Sequence, residues 1–303
     1  MNIRVGTASW TDPTLIASKR FYPPGCTSAE ARLRFYATQF PIVEVDSSYY
    51  AMPSGQNSVL WAQRTPSDFV FNIKAFRLFT GHQTERAKLP KDIQAALPPS
   101  DKKNLYYKDT PDEVVEELWR RYREAIEPLH EAGKLGAVHF QFAPWIVNNP
   151  DGRAHVERCA DAMAGFTLAT EFRHRSWFTE KSTASTLALE REHGLINVIV
   201  DEPQGPTNSI PAVWEVTNEA LAVIRLHGRN HATWNVKDAK SASDRFNYDY
   251  GDDELGELAE RIRAIAAHVA RTHVIFNNNY EDQGQRNART LIGLLGGSVV
   301  KTT

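Results

Sequence analysis

Eight short apolar runs recur along the chain, and the clearest of them stop on a polar or charged residue: Val43-Glu44-Val45-Asp46, Phe71-Asn72-Ile73-Lys74, Val138-His139-Phe140-Gln141, Leu168-Ala169-Thr170-Glu171 and Ile224-Arg225-Leu226-His227. A run that is apolar throughout its middle is buried on both faces, the condition of parallel strands covered by helices. When such strands close into a ring, the residues leaving their C-terminal ends converge on one mouth, where (β/α)8 barrels carry their chemistry. The fold class expected is therefore α/β, a single (β/α)8 TIM-like barrel over residues 1–303. Barrels of this type need about 250 residues plus insertions. An open doubly wound sheet would also alternate strands with helices, but the count of eight strands and the lack of a GxGxxG or P-loop pattern disfavour it.

The expected strands are Ile3–Thr7, Ile42–Val45, Phe69–Lys74, Ala137–Gln141, Thr167–Glu171, Asn197–Asp201, Ala222–His227 and His273–Asn277. Between them, Thr27 and Glu30 form a capping-box pattern that opens one helix, and Gly55–Arg64 suggests a short second one. Asp151–Met163, Lys181–His193 closed by Gly194, Asp252 to about Arg271, and Gln285–Leu295 supply others. The third connection, 75–136, is far longer than a usual loop and is expected to be an insertion with the character of a lid. Within it, Thr110-Pro111-Asp112-Glu113 predicts a helix start with Thr110 as N-cap, and Pro128 marks where that helix weakens.

Composition excludes several classes. Lys and Arg number 35 against 37 Asp and Glu, a net charge of −2, so any surface attractive to nucleic acid must be local. Cys26 and Cys159 lie far apart with no CxxC or Cys/His cluster, which predicts reduced thiols and no structural zinc. No apolar run approaches the roughly 18 residues of a membrane span, and Met1 leads directly into the first strand. A cytoplasmic protein without a membrane partner is the expectation.

The chain resembles the YecE-like family, domain of unknown function 72, along nearly its whole length. The matching segments are Val5-Gly6-Thr7 with Trp10, Phe21-Tyr22-Pro23, and Phe40 with Val43 through Tyr50. Phe69, Phe71 and Lys74, Leu135-Gly136, Gln141 through Pro144, and Glu171 through His174 with Ser176-Trp177 continue the series. Asp201 with Pro203, Arg225 through Gly228, Phe276-Asn277-Asn278 and Asn287-Ala288 complete it. The resemblance implies a (β/α)8 barrel and no established activity. Two positions depart from the family pattern: Asp46 stands where Asn is usual, and Ala143-Pro144 replaces a double proline.

Glu44 and Glu171 leave different strands toward one cavity, and two carboxyls in unlike environments can divide into an acid and a base. Lys74, His174 and His227 join them as catalytic candidates; a Schiff-base role for Lys74 is chemically open but weakly signalled. Arg173 and Arg225 can grip a phosphate or carboxylate bidentately, or can instead neutralise Glu44, Glu171 and Asp201 in a buried ion-pair network. Trp10, Tyr49, Tyr50, Trp145 and Trp177 offer flat surfaces for a base or sugar, or pack beneath loops. Asp46, Gln141, Asp201, Asn277, Asn278 and Asn287 are expected around the ligand, Gln141 and Asn287 as orienting groups. No cofactor is expected and no metal ligand is assigned. A divalent metal held by His174, His227, Glu171 and Asp201 is a weaker alternative, since no HExxH motif exists.

The leading expectation is an enzyme acting on a phosphate-bearing ligand, a nucleotide or nucleic acid, with phosphodiester hydrolysis its sharpest form. Its partner would be an anionic small molecule or a nucleic-acid strand. The alternatives are a non-catalytic nucleotide or nucleic-acid binding module and a carbohydrate-active hydrolase or isomerase, for which carboxylate pairs and stacking rings are also suited.

Overall fold

In the computed structural model, which describes residues 2–205, 209–234 and 242–302, eight parallel strands close into one barrel. They are β1 (Ile3–Ala8), β2 (Ile42–Val45), β3 (Val70–Lys74), β6 (Leu135–Gln141), β7 (Leu168–Glu171), β8 (Ile196–Asp201), β9 (Ala222–Leu226) and β10 (Thr272–Phe276). Around the ring the order is β1-β10-β9-β8-β7-β6-β3-β2. A short antiparallel hairpin of β4 (Thr84–Glu85) and β5 (Asn104–Leu105) stands apart. The helices are α1 (Pro13–Ser18), α2 (Ala29–Gln39), α3 (Ser47–Tyr50), α4 (Gly55–Gln63), α5 (Lys91–Ala96), α6 (Asp112–Glu131), α7 (Pro150–Ala162), α8 (Thr183–Glu192), α9 (Asp252–Ala266) and α10 (Gln283–Leu295). None of the described helices is long and apolar enough to cross a membrane, and both cysteines are free thiols.

Strand middles such as Ile196 through Val200 and Ala222 through Ile224 are buried on both faces, as the apolar runs require. At one seam the ring closes around a glycine. A Cβ on Gly6 would stand 2.0 Å from the carbonyl oxygen of Ile42, so no larger residue lets β1 approach β2 there. The Tyr36 hydroxyl of α2 fills the gap, accepting from Thr7 N at 2.8 Å and donating to Ile42 O at 3.1 Å.

Several helix ends differ from those the sequence suggests, because local signals compete over one or two residues. Ser28, not Thr27, caps α2, its side chain accepting from Ala31 N. Thr110 does not cap α6: its hydroxyl is drawn back to Tyr106 O at 2.8 Å, and Pro111 occupies the N-cap position. Helix α6 does end where Pro128 and Gly133 suggest: Pro128 in the final turn removes a single helical bond, and the chain turns at Gly133, whose φ is +66°. Helix α9 stops at Ala266, well before Arg271. Helix α6 packs on α4, where Ser58 Oγ donates to Ala125 O at 2.6 Å, so the third connection contains a helix of the barrel's outer ring. Its first residues belong to the core: Phe76, Leu78 and Phe79 are fully buried, Phe79 stacked on Trp119.

Candidate functional site at the barrel mouth

Lateral pairing decides which strand residues face the barrel axis, because neighbours in register share a face. Arg225 pairs with Val200 and Ile275, Glu44 with Asn72, Lys74 with His139, and Gln141 with Glu171; these charged and polar side chains share the inward face. Asp201 pairs with Leu226 and points outward.

Arg225 is fully buried at the centre. Its Nε and Nη2 donate to the two oxygens of Glu44 at 3.1 and 2.6 Å, and its Nη1 to Glu171 Oε2 at 2.6 Å. Nη2 also donates to Asn277 Oδ1 at 3.0 Å. His139 spans the same two carboxylates from the other side, with Nδ1 3.2 Å from Glu44 and Nε2 3.2 Å from Glu171. Those contacts have ion-pair distances but are not aligned as hydrogen bonds. Glu44, Arg225, Glu171 and His139 thus form a closed ring of alternating carboxylate and nitrogen groups contributed by four strands.

Glu171 Oε1 collects further donors: Gln141 Nε2 at 2.8 Å and Arg173 Nη1 at 3.2 Å, with His227 Nε2 at 3.3 Å. Arg173 Nη1 is shared with Glu202 Oε2 at 2.6 Å, while Glu202 Oε1 accepts from Ile210 N. Burial pushes the carboxyls of Glu44 and Glu171 up, but Arg225 and the neighbouring histidines outweigh it, and both are held well below the usual range. Glu202 behaves oppositely: burial exceeds the pull of Arg173 and its carboxyl is raised. His227 is lowered to about 3, first by burial and then by Arg225 and Arg173 against the opposing pull of Glu171, so the ring is neutral near pH 7. Asn277 Nδ2 donates to His227 Nδ1 at 2.9 Å, while Nε2 stands 3.3 Å from both Glu171 Oε1 and Arg225 Nη1.

Toward the rim, Lys74 pairs with Asp46 at 3.1 Å and lies over the Tyr49 ring. Arg77, in the loop after β3, lies over the same ring; its buried Nε has no hydrogen-bond partner, and it forms no ion pair among the described residues. On the opposite side Arg173 and Arg245 both lie over Trp234, and Phe246 stacks on His227.

The structure brings together Glu44, Asp46, Tyr49, Lys74, Gln141, Glu171, Arg173, Arg225, His227 and Asn277. It separates most of the others. His174 caps a single 3-10 turn, its Nδ1 bonded to Ser176, because it is out of phase with Glu171 and Arg173. Asp201 is held outside the barrel by Arg229 and the Tyr250 hydroxyl. Asn278 and Asn287 bond to each other and to the backbone of Tyr248 and Tyr250. Trp10 packs edge-on against Trp61, and Trp177 stacks under Phe172 with its indole N–H on Ile146 O. Tyr50 and Trp145 stay exposed at the rim. The described residues contain no group of three or more His, Cys, Asp or Glu arranged to hold a metal ion.

Residues unforeseen in the sequence include His139, Arg77, His82 and Glu202. His139 carried a usable signal, standing two positions before Gln141 and therefore on the same face. Glu202 follows the strand end and carried none.

The family model described as "Protein of unknown function DUF72" matches residues 4–303. A curated relative, the UPF0759 protein YunF of Bacillus subtilis (strain 168), is 30% identical over 295 residues, covering 97% of this chain and 94% of that protein. Among solved structures, a DUF72 family protein from Enterococcus faecalis V583 is 27% identical with a TM-score of 0.80, covering 99% of this chain and 98% of that one. Another from Thermotoga maritima MSB8 is 26% identical with a TM-score of 0.73, covering 97% and 99%.

Proposed function

Because the chain belongs to the DUF72 family, which is defined by shared sequence and not by a shared reaction, we propose its function from the chemistry of its own barrel mouth: binding and processing of a phosphate-bearing ligand. The observation that carries this reading is the imbalance of charge. Among the described residues, Lys74, Arg77, Arg173, Arg225 and Arg245 interact electrostatically with one another's surroundings, against the carboxyls of Glu44, Asp46, Glu171 and Glu202. Burial raises the Glu202 carboxyl against the pull of Arg173, the opposite of what holds for Glu44 and Glu171. Arg77, with no carboxylate partner among the described residues, is the cation best placed to meet an incoming anion.

Arg225 has a different task in this reading. Its fork is engaged by Glu44, Glu171 and Asn277, with His227 Nε2 3.3 Å from Nη1, so it orients the two carboxylates and leaves the ligand to Lys74, Arg77 and Arg173. Glu171, ionised at neutral pH, is the candidate to accept a proton from an attacking water, and Glu202, across Arg173, the candidate to supply one to a leaving oxygen. Phosphodiester hydrolysis is the reaction these roles suit.

The complete burial of Glu44 and Glu171 favours a second reading, a binding module in which no bond is broken. One experiment addresses both. Inorganic phosphate is titrated calorimetrically, and bis(p-nitrophenyl) phosphate turnover is followed in parallel, on the wild type and on Arg77→Ala. Binding that weakens about tenfold in the variant and falls with salt supports the anion site; turnover abolished by Glu171→Gln makes it an enzyme. Phosphate binding without turnover selects the binding module, and no binding at millimolar phosphate removes the proposal.

A further inference from the structure

Two of the few large hydrophobic side chains that remain exposed, Tyr50 at 52% and Trp145 at 51%, stand at the barrel mouth. They are not isolated. Tyr50 meets Tyr49 edge-on at 5.0 Å, Tyr49 meets His82 at 5.3 Å, His82 meets Trp145 at 5.7 Å, and Trp145 meets Tyr106 at 6.2 Å. The rings come from the connections that follow β2, β3 and β6, three strands adjacent in the barrel, so they form one ribbon over one sector of the rim.

Charge runs along the same sector. Lys74 and Arg77 both lie over Tyr49, at 5.6 and 5.3 Å from its centroid. His82 is lowered to about 3, chiefly by burial and then by Arg77, Lys74 and Arg173, so it enters the ribbon as an uncharged ring. Trp145 is fixed by its indole N–H on Gly81 O at 2.9 Å, which holds the ring in place while leaving half of it open to solvent. A rigid, half-exposed indole costs little conformational entropy when a planar group covers it.

We infer that this ribbon is a recognition subsite for a planar heteroaromatic ring, with Trp145 as its platform, so that the phosphate-bearing ligand is a nucleotide and not a sugar phosphate. The inference rests on the anion reading of the same mouth: Lys74 and Arg77 take the phosphate, and the neighbouring rings take the base. A sugar phosphate would satisfy the cations and leave the exposed rings uncovered. Base stacking on an aromatic side chain is a large enough effect to register as about tenfold in affinity.

The test compares adenosine 5′-monophosphate with ribose 5-phosphate and inorganic phosphate by calorimetry, with Trp fluorescence recorded alongside. Adenosine monophosphate should bind about tenfold more tightly than ribose 5-phosphate and should quench tryptophan emission. In W145A the ratio should collapse toward one; in W145F, which keeps a ring, it should largely persist. Equal affinities for the two ligands in the wild type, or a ratio unaffected by W145A, would overturn the subsite and leave the anion reading standing. Failure of all three ligands to bind would remove both.

Discussion

Arg225 shows how much of a barrel mouth a single buried side chain can organise. Its guanidinium is the shared partner of two fully buried carboxylates, and taking it away removes their common cation from both at once, leaving Glu44 to His139 and Glu171 to Gln141, Arg173 and His227. Arg225→Met is therefore expected to lower unfolding free energy by about 3–5 kcal/mol in urea titrations. Arg225→Lys should recover little of it, because a point charge cannot reproduce a fork across two carboxylates. Glu190 presents the opposite situation. Buried in α8, it accepts from Thr170 Oγ at 2.5 Å, its other oxygen has no hydrogen-bond partner, and burial raises its carboxyl to about 8. The folded protein then holds a proton that the unfolded chain releases above about pH 4.5, so this group's contribution to stability declines as pH rises from there to about 8 and is level beyond. Glu190→Gln should flatten that slope and gain relative to wild type at pH 8; an unchanged slope in denaturation curves across pH 5–8 would count against a protonated Glu190.

At the scale of elements, the junction of β1 and β2 is the least tolerant place in the barrel. These strands pair over a short register, Thr7 with Val43 and Ala8 with Glu44, and Tyr36 supplies the bonds that the splayed part lacks. Gly6→Ala forces a methyl into the Ile42 carbonyl, and backbone cannot rotate away as a side chain could. A loss of at least 1–3 kcal/mol is expected, the usual cost of overpacking, read as a lowered midpoint of thermal unfolding. Gly133→Ala, in open space but at positive φ, should cost less, about 1 kcal/mol. Because Glu44 lies in this junction, paired with Ala8, Gly6→Ala should also disturb the mouth. The strands were largely legible in the sequence, since burial on both faces leaves an apolar signature that little else produces; helix starts were less so, as Thr27 and Ser28 compete for one cap and tertiary contacts decide.

Across the whole molecule the ring of Glu44, His139, Glu171 and Arg225 ties together β2, β6, β7 and β9, distant in sequence and spaced around the barrel. Both carboxyls are ionised in the folded protein at pH values where the unfolded chain takes up protons. Their stabilisation is therefore present above about pH 4.5 and lost as pH falls below it. Acid unfolding monitored by circular dichroism should be cooperative and accompanied by net proton uptake; secondary structure unaffected down to pH 2 would contradict this account. The sequence alone determined that strands and helices alternate around a closed barrel and that acids and bases cluster at strand ends, because burial on both faces and strand termination are written in local residue order. It could not determine which of those ends face inward. In strands apolar on both sides the two-residue alternation is hidden, so Asp201 and His174 read as equals of Glu171 and Arg173, while His139 lay unremarked within an apolar run. Only lateral register, set by the closing of the ring, turned Arg225 toward Glu44 and Asp201 away from it.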